Sequence, residues 1–578
     1  MARITRPLQT RLRRRLRSGD AILLLVAVLI GALAGLATVV QSAVSHGLQA
    51  LLYGVSINRL SALASIHHPS KLLFLPLGGL LLVLVTKLFK SRPTPVDVIE
   101  ANALHGGRIP WRDSLQVSLQ TIISNGFGAS VGLEAAYAQA GGGLASTIGA
   151  WLQLKRADLR MLVGAGAGAA IGAAFSSPLA GAFYAFEIVI GAYTPAAMAP
   201  VAAAALSGVL VARSMGAAPF LTVASTAHGQ SLTSYLLFAG LGLVCAAVGI
   251  LIMRFQALAE RTVQRWRKPF IPLPVIGGFL LIPLAWISPQ ALSSGHGAMR
   301  LEIAVQPALQ FLLLVFALKT VASIVSLSFG FRGGLFFASL FLGSLLGPAY
   351  AQVVNVIAGQ PLLSTIDATL VGMAALSVTI VGGPMTLSLL ILETTHDFAL
   401  TGVVLTAALC ASAITRDFFG YSFSTWRLHL RGAKIRSARD IGWGSELTAG
   451  RLMQKHPPLF SANLSIEEFR STYPIGSTGR VLLHDGNGHF SGIVETAMAY
   501  DYHLDPAAAV GDLAAKSDAS VTEVAAVGEI LELFDDLDTD DLAVIAPDGR
   551  VLGMLTERYV ARRYMEASDR AQATLFGE

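Results

Sequence analysis

Three glutamates and one lysine lie inside long apolar or glycine-rich stretches of the sequence: Glu134, Glu187, Glu393 and Lys319. Only 12 Asp or Glu residues occur between positions 21 and 420, and most of the others fall in stretches that read as loops. Ionisable groups inside apolar segments are costly and usually mark functional positions. These four side chains are therefore the first candidates for chemistry.

Glu134 differs from the other three because glycines flank it, at what reads as the start of a helix. Gly126, Gly128 and Gly132 precede it, and three glycines at 141–143 follow. Unpaired N–H groups at a helix N-terminus attract anions. A carboxylate there can occupy an anion site when charged and vacate it when protonated. Glu134 is thus predicted to be a gate and a proton carrier, the alternative being a simple charge at a helix start.

Glu187 and Glu393 occupy matching places in two similar segments. Residues 176–187 align with residues 382–393, each with a proline near its start and a glutamate at its end. Matching positions at two helix ends favour a structural role for both acids, as partners of backbone or loop groups. Lys319 is expected to snorkel or to pair with another group rather than to bind a substrate.

The apolar part of the sequence is a duplicated unit. Besides the pair of segments above, residues 132–141 align with residues 334–343. Phe336 takes the place that Glu134 has in the first copy, beside Gly333 and Gly334. Such repeats place a binding site at their interface near the middle of the bilayer. The sequence by itself leaves open whether the copies are parallel or inverted.

The composition identifies the elements that must position these residues. Hydrophobic residues make up 53% of the 578, charged residues only 13%, and mean hydropathy is +0.61, which excludes an ordinary soluble protein. Apolar runs that approach or reach the length of a membrane span cover residues 21–41, 72–88, 196–211, 232–253, 311–327 and 400–414. Shorter runs broken by Gly and Pro cover 126–149, 162–190, 333–347 and 370–392. Broken helices at membrane depth line cavities or pack within protein, so we predict an all-α polytopic membrane protein with re-entrant helices.

Charge divides the chain into a basic body and an acidic tail. Residues 1–447 contain 32 Lys and Arg against 15 Asp and Glu, whereas residues 448–578 contain 10 against 21. This division indicates a membrane domain with an appended soluble domain and argues against nucleic-acid binding. The basic segment 1–20 predicts a cytoplasmic N-terminus, and the apolar run after it is too long for a cleaved signal peptide.

Two hairpins repeat in the tail. Residues 481–494 and 542–555 each read as a strand, a tight Asn-Gly or Asp-Gly turn and a second strand, with Gly488 aligned on Gly549. The tail, 448–578, is therefore predicted to be an α+β tandem repeat that follows a connector at 431–447. Cys245 and Cys410 lie in apolar runs, so no disulfide, metal site or cofactor is expected.

These segments resemble the CLC family of chloride channels and chloride/proton exchangers. GFGASVGLEAAYAQAGG resembles the family stretch that carries the gating glutamate, which falls on Glu134. GFRGGLFFASLFLG resembles its G-x-P-G-G-x-F motif, with Leu335 and Phe336 on the amides that hold the anion. The two proline-led segments match two helices of the family. The resemblance covers about residues 20–430, and the tail resembles a pair of CBS motifs.

The resemblance implies an inverted repeat, with copies at about 60–215 and 230–420 of a domain spanning 21–430. It also implies a homodimer with one anion pathway per subunit, in a membrane expected to be the bacterial inner membrane with both termini cytoplasmic. Small inorganic anions, with protons as a further option, are the expected partners. The anion-binding positions that it implies are Gly132, Leu133, Ala135, Gly333, Gly334, Leu335, Phe336, Pro93 and Ser424.

Departures from the family pattern modify this expectation. Leu133 and Ala135-Ala136 replace the Arg and Gly-Pro around the gating glutamate, and Pro93 and Ser424 replace its central serine and tyrosine. The family's internal proton-transfer glutamate is Ile188 here. A hydrophobic residue there suggests channel-like or weakly proton-coupled transport, and a proton-coupled antiporter is the alternative. Pro in place of the serine is linked in the family with nitrate preference.

Two other classes fit less well. An intramembrane metalloprotease needs an HExxH pattern, which the sequence lacks, so we do not expect an enzyme. A CBS-bearing divalent-cation transporter needs clustered carboxylates, whereas the membrane part has them singly. Nucleotide binding by the tail is doubtful because Thr556 is followed by Tyr559 where adenosine-binding CBS pairs have an Asp.

Overall fold

The computed structural model describes residues 20–55, 60–66, 68–89, 95–221, 231–266, 272–430 and 447–576. The chain divides into two compact units, Met1–Asp440 and Ile441–Glu578. Within the described ranges, eight helices of the first unit are long and apolar enough to cross a membrane. Each of the six predicted long apolar runs lies in a helix. The expected basic N-terminal segment lies outside the described residues.

The described helices of the first unit fall into two consecutive series of eight. The first series, as far as it is described, runs α1 (Asp20–Tyr53), α2 (Phe74–Phe89), α3 (Val98–Leu104), α4 (Trp111–Gly126), α5 (Glu134–Leu152), α6 (Arg156–Phe175), α7 (Pro178–Tyr184, continued by a π turn, Ala185–Ile190) and α8 (Pro195–Ser214). The second runs α9 (Leu232–Arg265), α10 (Leu273–Ile287), α11 (His296–Val305), α12 (Leu309–Ser328), α13 (Phe336–Ala358), α14 (Thr365–Val381), α15 (Pro384–Thr395) and α16 (Phe398–Phe418). A short helix, α17 (Phe423–Leu430), follows. The duplication predicted from the sequence is thus present in the structure.

Local chemistry fixes where several of these helices begin. The Asp97, Ser231 and Asp397 side chains each accept a backbone N–H in the first turn of α3, α9 and α16. Proline begins α7 and α15, where its missing N–H costs nothing and its fixed φ suits a helix start.

Glycines let neighbouring helices pack closely at equivalent places in the two series. A Cβ added at Gly141 of α5 would lie 2.1 Å from the carbonyl oxygen of Gly166 in α6. The same relation holds in the second series, where a Cβ on Gly343 of α13 would lie 2.2 Å from the oxygen of Gly372 in α14. Small residues at these crossings let two backbones approach closely, as is common between membrane helices.

Equivalent helices of the two series run antiparallel. The Glu393 carboxylate near the end of α15 accepts the N–H of Leu179 at the start of α7, at 2.9 Å. The Glu187 carboxylate, just past α7, accepts the N–H of Thr386 at the start of α15, at 2.8 Å. Each helix therefore ends where its equivalent begins. This is the arrangement of an inverted repeat, the alternative implied by the family resemblance.

The second unit contains two copies of one small fold. Its elements are α18 (Ala449–Leu452), β1 (Leu459–Ser461), α19 (Ile466–Thr472), β2 (Arg480–His484), β3 (Phe490–Glu495), β4 (Ser520–Thr522), α20 (Val527–Leu537), β5 (Asp541–Ile545), β6 (Val551–Thr556) and α21 (Glu557–Phe576). In each copy a parallel pair, β1 with β2 or β4 with β5, is extended by the antiparallel hairpin. Gly488 and Gly549 both adopt φ of +87°, as the two turns require. Both predicted hairpins are confirmed.

Candidate anion-binding site

A cavity of about 140 Å³ lies where several helix ends of the first unit converge. Its walls come from the start of α3, from α5, from the π turn after α7, from the loop before α13, and from α14 and α17. Its lining includes Asp97, Glu134, Ala135, Tyr184, Ile188, Arg332, Gly333, Gly334, Leu335, Phe336, Ser424 and Arg427.

Glu134 is the first residue of α5, and its side chain is buried. Backbone N–H groups of Glu134 itself and of Phe337 lie close to the carboxylate, while Oε2 is buried without a hydrogen-bond partner among the described atoms. A Cβ added at Gly132 would lie 1.9 Å from Oε2, so only glycine leaves room for this side chain. The carboxylate therefore lies between the N-termini of α5 and α13, where peptide dipoles favour a negative charge.

The two repeats meet at this carboxylate. Gly132 and Gly334 form an antiparallel bridge, with N–H to O distances of 3.0 and 3.2 Å. The residues that directly precede the equivalent helices, Leu133 before α5 and Leu335 before α13, are both buried. The two segments that align in the sequence, 132–141 and 334–343, are thus in direct contact where the two halves meet.

Most of the predicted anion-binding residues lie together. Ala135 and the four residues from Gly333 to Phe336 line the cavity with Glu134, and Ser424 lines it from α17. Gly132 and Leu133 are buried directly before Glu134 and do not line it. Pro93 lies outside the described residues.

The start of α3 borders the same cavity. The loop before it is held in place because the N–H of Val96 donates to Asp113 at 3.0 Å and the Val96 carbonyl accepts from Gln139 at 3.0 Å. Asp97 lines the cavity, and its carboxylate accepts the N–H of Glu100 within α3 at 2.8 Å. This loop is therefore tied to both α4 and α5.

Glu187 and Glu393 do not line the cavity. Glu187 accepts the N–H groups of Met385 and Thr386 at 3.1 and 2.8 Å and the Thr386 hydroxyl at 2.6 Å. Glu393 accepts two N–H groups at the start of α7, at 2.9 and 3.0 Å. Both acids therefore accept hydrogen bonds from backbone N–H groups at the N-terminus of the opposite helix. Ile188, next to Glu187, does line the cavity.

Lys319 is completely buried, which leaves no room for snorkelling. Its ammonium group donates to the carbonyl oxygens of Ser293 and Ala291 at 2.5 and 3.4 Å. It also lies 5.9 Å from the centre of the Phe341 ring. Of the two predicted fates of this lysine, pairing is the one that the structure shows.

Two arginines and a tyrosine of the cavity were not predicted from the sequence. Arg332 directly precedes the Gly333–Gly334 pair, and Arg427 follows Ser424 by one helical turn, so spacing from the recognised motifs could have indicated both. Tyr184 lies on the segment that ends in Glu187, but nothing in an apolar run marks which face of it meets a cavity.

A polar cluster behind Glu134 was also missed. The half-buried His296 ring stacks on Phe337, with ring centres 3.5 Å apart, and the ring of His46 meets it edge-on at 6.1 Å. His296 contacts the Ser294 hydroxyl at 3.0 Å, and His46 contacts that of Ser42 at 3.1 Å. The histidines lie 250 residues apart in the sequence, so no local pattern could join them.

An inverted repeat that directs two helix N-termini at one buried carboxylate defines an integral membrane protein of the anion-transporting class. Comparison with known sequences agrees, because the model of the family described as "Voltage gated chloride channel" matches residues 78–416. The chain belongs to this family, the CLC family, whose members transport anions and are not enzymes. The acidic tail lies beyond the residues that this family model matches.

Particular relatives give the extent of the likeness. A putative chloride channel protein, ClcB-like, from Ralstonia nicotianae is 28% identical over 386 residues, which cover 65% of this chain and 89% of that protein. The fold is similar to a slow cyanobacterial Cl⁻/H⁺ antiporter, with a TM-score of 0.62 and 22% identity over 71% of this chain and 98% of that one. A eukaryotic CLC transporter gives a TM-score of 0.59 and 19% identity, and covers 95% of this chain and 98% of that one.

Proposed function

We propose that this chain conducts chloride, and nitrate at least as well, through a pathway in each subunit that Glu134 gates. The observation that carries the proposal is the burial of the Glu134 carboxylate between the N-termini of α5 and α13, at the wall of the cavity. An anion and this carboxylate would compete for the same backbone N–H groups. Arg332 and Arg427 add positive charge to the cavity, against a single further acid, Asp97, among its described lining residues.

We further propose that transport is channel-like, with at most weak proton coupling. Support comes from Ile188, an apolar side chain at the cavity wall where the family's exchangers carry the internal proton-transfer glutamate. The alternative, a proton-coupled antiporter, is favoured by the polar cluster of His46, His296 and Lys319 close to Glu134, since buried titratable groups in a membrane commonly form proton relays. Proton uptake driven by a chloride gradient in proteoliposomes, measured together with chloride flux, distinguishes the two.

Two further parts of the proposal rest on the family resemblance and on charge. The chain is proposed to form a homodimer in a bacterial inner membrane, with both termini cytoplasmic. The basic residues at the start of the sequence support this orientation. Glu134 would then control one pathway in each of two subunits.

Substitution of Glu134 tests the gate. In Glu134→Gln the neutral amide imitates the protonated carboxylate, so chloride flux is expected to lose its dependence on external pH while the unaltered chain keeps it. Flux from proteoliposomes is measured between pH 5 and 8. Glu260→Gln, on the exposed end of α9, is the matched control and should behave like the unaltered chain. A Glu134→Gln protein with the original pH dependence would overturn the proposal.

Substitution of Pro93 tests the nitrate preference. With Pro93 and Ser424 in place of a serine and a tyrosine, fewer hydroxyls are available to a small anion, and backbone N–H groups should dominate its binding. Pro93→Ser is expected to raise chloride flux relative to nitrate flux, measured by exchange of each anion across the same vesicles. An unchanged nitrate-to-chloride ratio would contradict this assignment and leave the gating role of Glu134 standing.

A further inference from the structure

A second cavity, of about 320 Å³, lies away from the anion site at the C-terminal ends of α9 and α16. Arg254 and Arg261 line it from α9, Phe418 and Phe419 from the end of α16, and Trp426 from α17. None of these residues has a part in the gate or in the anion cavity described above. This cavity is therefore separate from the anion site.

The polar atoms of this cavity match an anion. The Trp426 Nε1–H is buried, and no hydrogen-bond acceptor reaches it among the described residues. The Arg254 guanidinium lies over the Phe419 ring at 5.9 Å, and within the described chain neither Arg254 nor Arg261 has a recorded ion pair. A buried N–H donor without an acceptor is unfavourable, and phosphate oxygens are natural partners of both guanidinium and N–H groups.

The cavity lies at the level where apolar helix surface becomes basic. The apolar run of α9 ends at residue 253, and Arg254, Arg261 and Arg265 follow along its last turns. The balance of charge around the cavity is positive. The charged residues on the described elements that form it are Arg254, Arg261, Arg265, Arg416 and Arg427 against Glu260 and Asp417. A change from apolar to basic residues marks the interface between hydrocarbon and headgroups.

Apolar side chains lead from the cavity along the same helix. Leu251, Phe255 and Leu258 of α9 are 51%, 57% and 60% exposed, and Phe418 of α16 is 73% exposed. Exposed apolar side chains can pack against acyl chains, whereas a free phosphate ion has no apolar part that could contact them. The combination points to a lipid rather than to a soluble anion.

We infer that this cavity binds the phosphate headgroup of an anionic phospholipid. Arg254 and Arg261 face its negative charge, the Trp426 N–H donates to a phosphate oxygen, and the acyl chains lie along the exposed apolar face of α9. The inference does not depend on the mechanism of anion transport proposed above.

Retention of a defined lipid by the full-length protein tests the inference. The protein is purified in detergent, mixed with phosphatidylglycerol or phosphatidylcholine, and examined by native mass spectrometry. Each Arg near an anionic lipid strengthens binding about fivefold. The Arg254→Gln/Arg261→Gln protein should therefore retain about 30-fold less phosphatidylglycerol than the unaltered chain. Trp426→Phe keeps an aromatic ring and removes only the N–H, and a loss of about tenfold is expected for a hydrogen bond to a charged phosphate. Phosphatidylcholine retention should be lower throughout and insensitive to these changes.

Arg112→Gln is the matched control, because Arg112 also lies over an aromatic ring, that of Trp111 at 5.7 Å, but lines neither cavity. Unchanged phosphatidylglycerol retention in the double variant, or an equal loss in Arg112→Gln, would overturn the inference. Displacement of the lipid by millimolar inorganic phosphate would show a soluble-anion site and overturn it as well. If gel filtration shows that the double variant is misfolded, Trp426→Phe decides the question by the same comparison.

Discussion

Among the described residues, two hydroxyls line the anion cavity, and they differ in how easily water can reach them. Tyr184 is buried, at 8% exposure, whereas Ser424 is partly exposed on α17. A hydroxyl shielded from water has few alternative partners, so its hydrogen bond to an anion contributes more to affinity than one that water can replace. We therefore propose that Tyr184, rather than Ser424, supplies the main hydroxyl donor to the anion.

Tyr184→Phe is expected to weaken chloride binding by about tenfold, the effect of removing one hydrogen bond to a charged group. Ser424→Ala should weaken it by less. Chloride affinity is measured by calorimetry on the purified protein. Tyr350→Phe is the control, because the Tyr350 hydroxyl donates to the Leu237 carbonyl at 2.9 Å, far from the cavity lining. Tyr184→Phe with unaltered affinity, or Tyr350→Phe with the same loss, would contradict this role.

At the scale of the elements, each of two helices is capped by a carboxylate from its equivalent. Glu187 satisfies N–H groups at the start of α15, and Glu393 does so at the start of α7. The first turn of a helix leaves four N–H groups without intrahelical partners, and both helices begin with a proline that removes one of them. Exchange of caps satisfies two more at each end, and it fixes the two repeats against each other.

Neutralising either acid should loosen this contact without altering the gate. In Glu187→Gln one carboxylate oxygen becomes an NH₂ group facing backbone donors, and a loss of about 1.5–3 kcal/mol is expected for a hydrogen bond to a charged group. Thermal unfolding of the purified protein, followed by loss of the native gel-filtration peak, should shift down for both Glu187→Gln and Glu393→Gln. Glu260→Gln again serves as the control. A loss of pH-dependent flux in Glu187→Gln, with stability unaltered, would instead make it a transport residue.

Much of the fold follows from local sequence, and much of the site does not. Apolar runs indicated the spanning helices, and self-alignment indicated the duplication, because both are properties of neighbouring residues or of direct likeness. The antiparallel sense of the repeats depends on which backbone N–H groups donate to Glu187 and Glu393, about 200 residues away along the chain. The partners of Lys319 are likewise carbonyl oxygens, which every residue has, so no residue type could indicate them.

At the scale of the whole molecule, the two units carry opposite net charge. Part of the negative charge of the acidic unit is neutralised within that unit. Arg480, the first residue of β2, contacts Asp541 at 2.6 Å, Asp540 at 3.0 Å and Glu495 at 3.2 Å. Hydrogen bonding to Asp541 chiefly, and to the other two acids, raises the pKa of Arg480 above its ordinary value despite partial burial. A basic group whose pKa is raised by folding contributes stability that is fully present below its unfolded pKa. For an arginine that pKa lies far above neutral, so this contribution is constant across physiological pH.

Arg480 thus offsets part of the acidic segment that precedes the second hairpin. Arg562 and Arg563 pair with Glu566 of the same helix, at 3.7 and 2.8 Å. Arg480 is the residue that faces the acids. The sequence concealed it because Arg480 precedes Asp541 by 61 residues, which is the length of one repeat of the tail.

The geometry of the acids strengthens the expectation that the tail binds nucleotides weakly. Asp541 lies directly opposite Thr556 in the sheet, and the N–H of Glu557 donates to the carbonyl of Asp540 at 2.8 Å. A nucleotide that used the Thr556 hydroxyl would bring its phosphates beside Asp540 and Asp541, within a Debye length of about 8 Å. Arg480 cancels only one of the three charges that it contacts.

Calorimetry on the full-length protein should therefore show no tight binding of ATP or AMP. Asp540→Asn/Asp541→Asn, which removes two negative charges beside Thr556, should bind ATP more tightly than the unaltered chain, with the larger gain at low salt because exposed charges are screened. Asp548→Asn is the control, since Asp548 lies in the hairpin turn and pairs with Arg550 at 2.7 Å. Micromolar affinity in the unaltered chain would overturn the argument and make the tail a nucleotide sensor for the membrane domain.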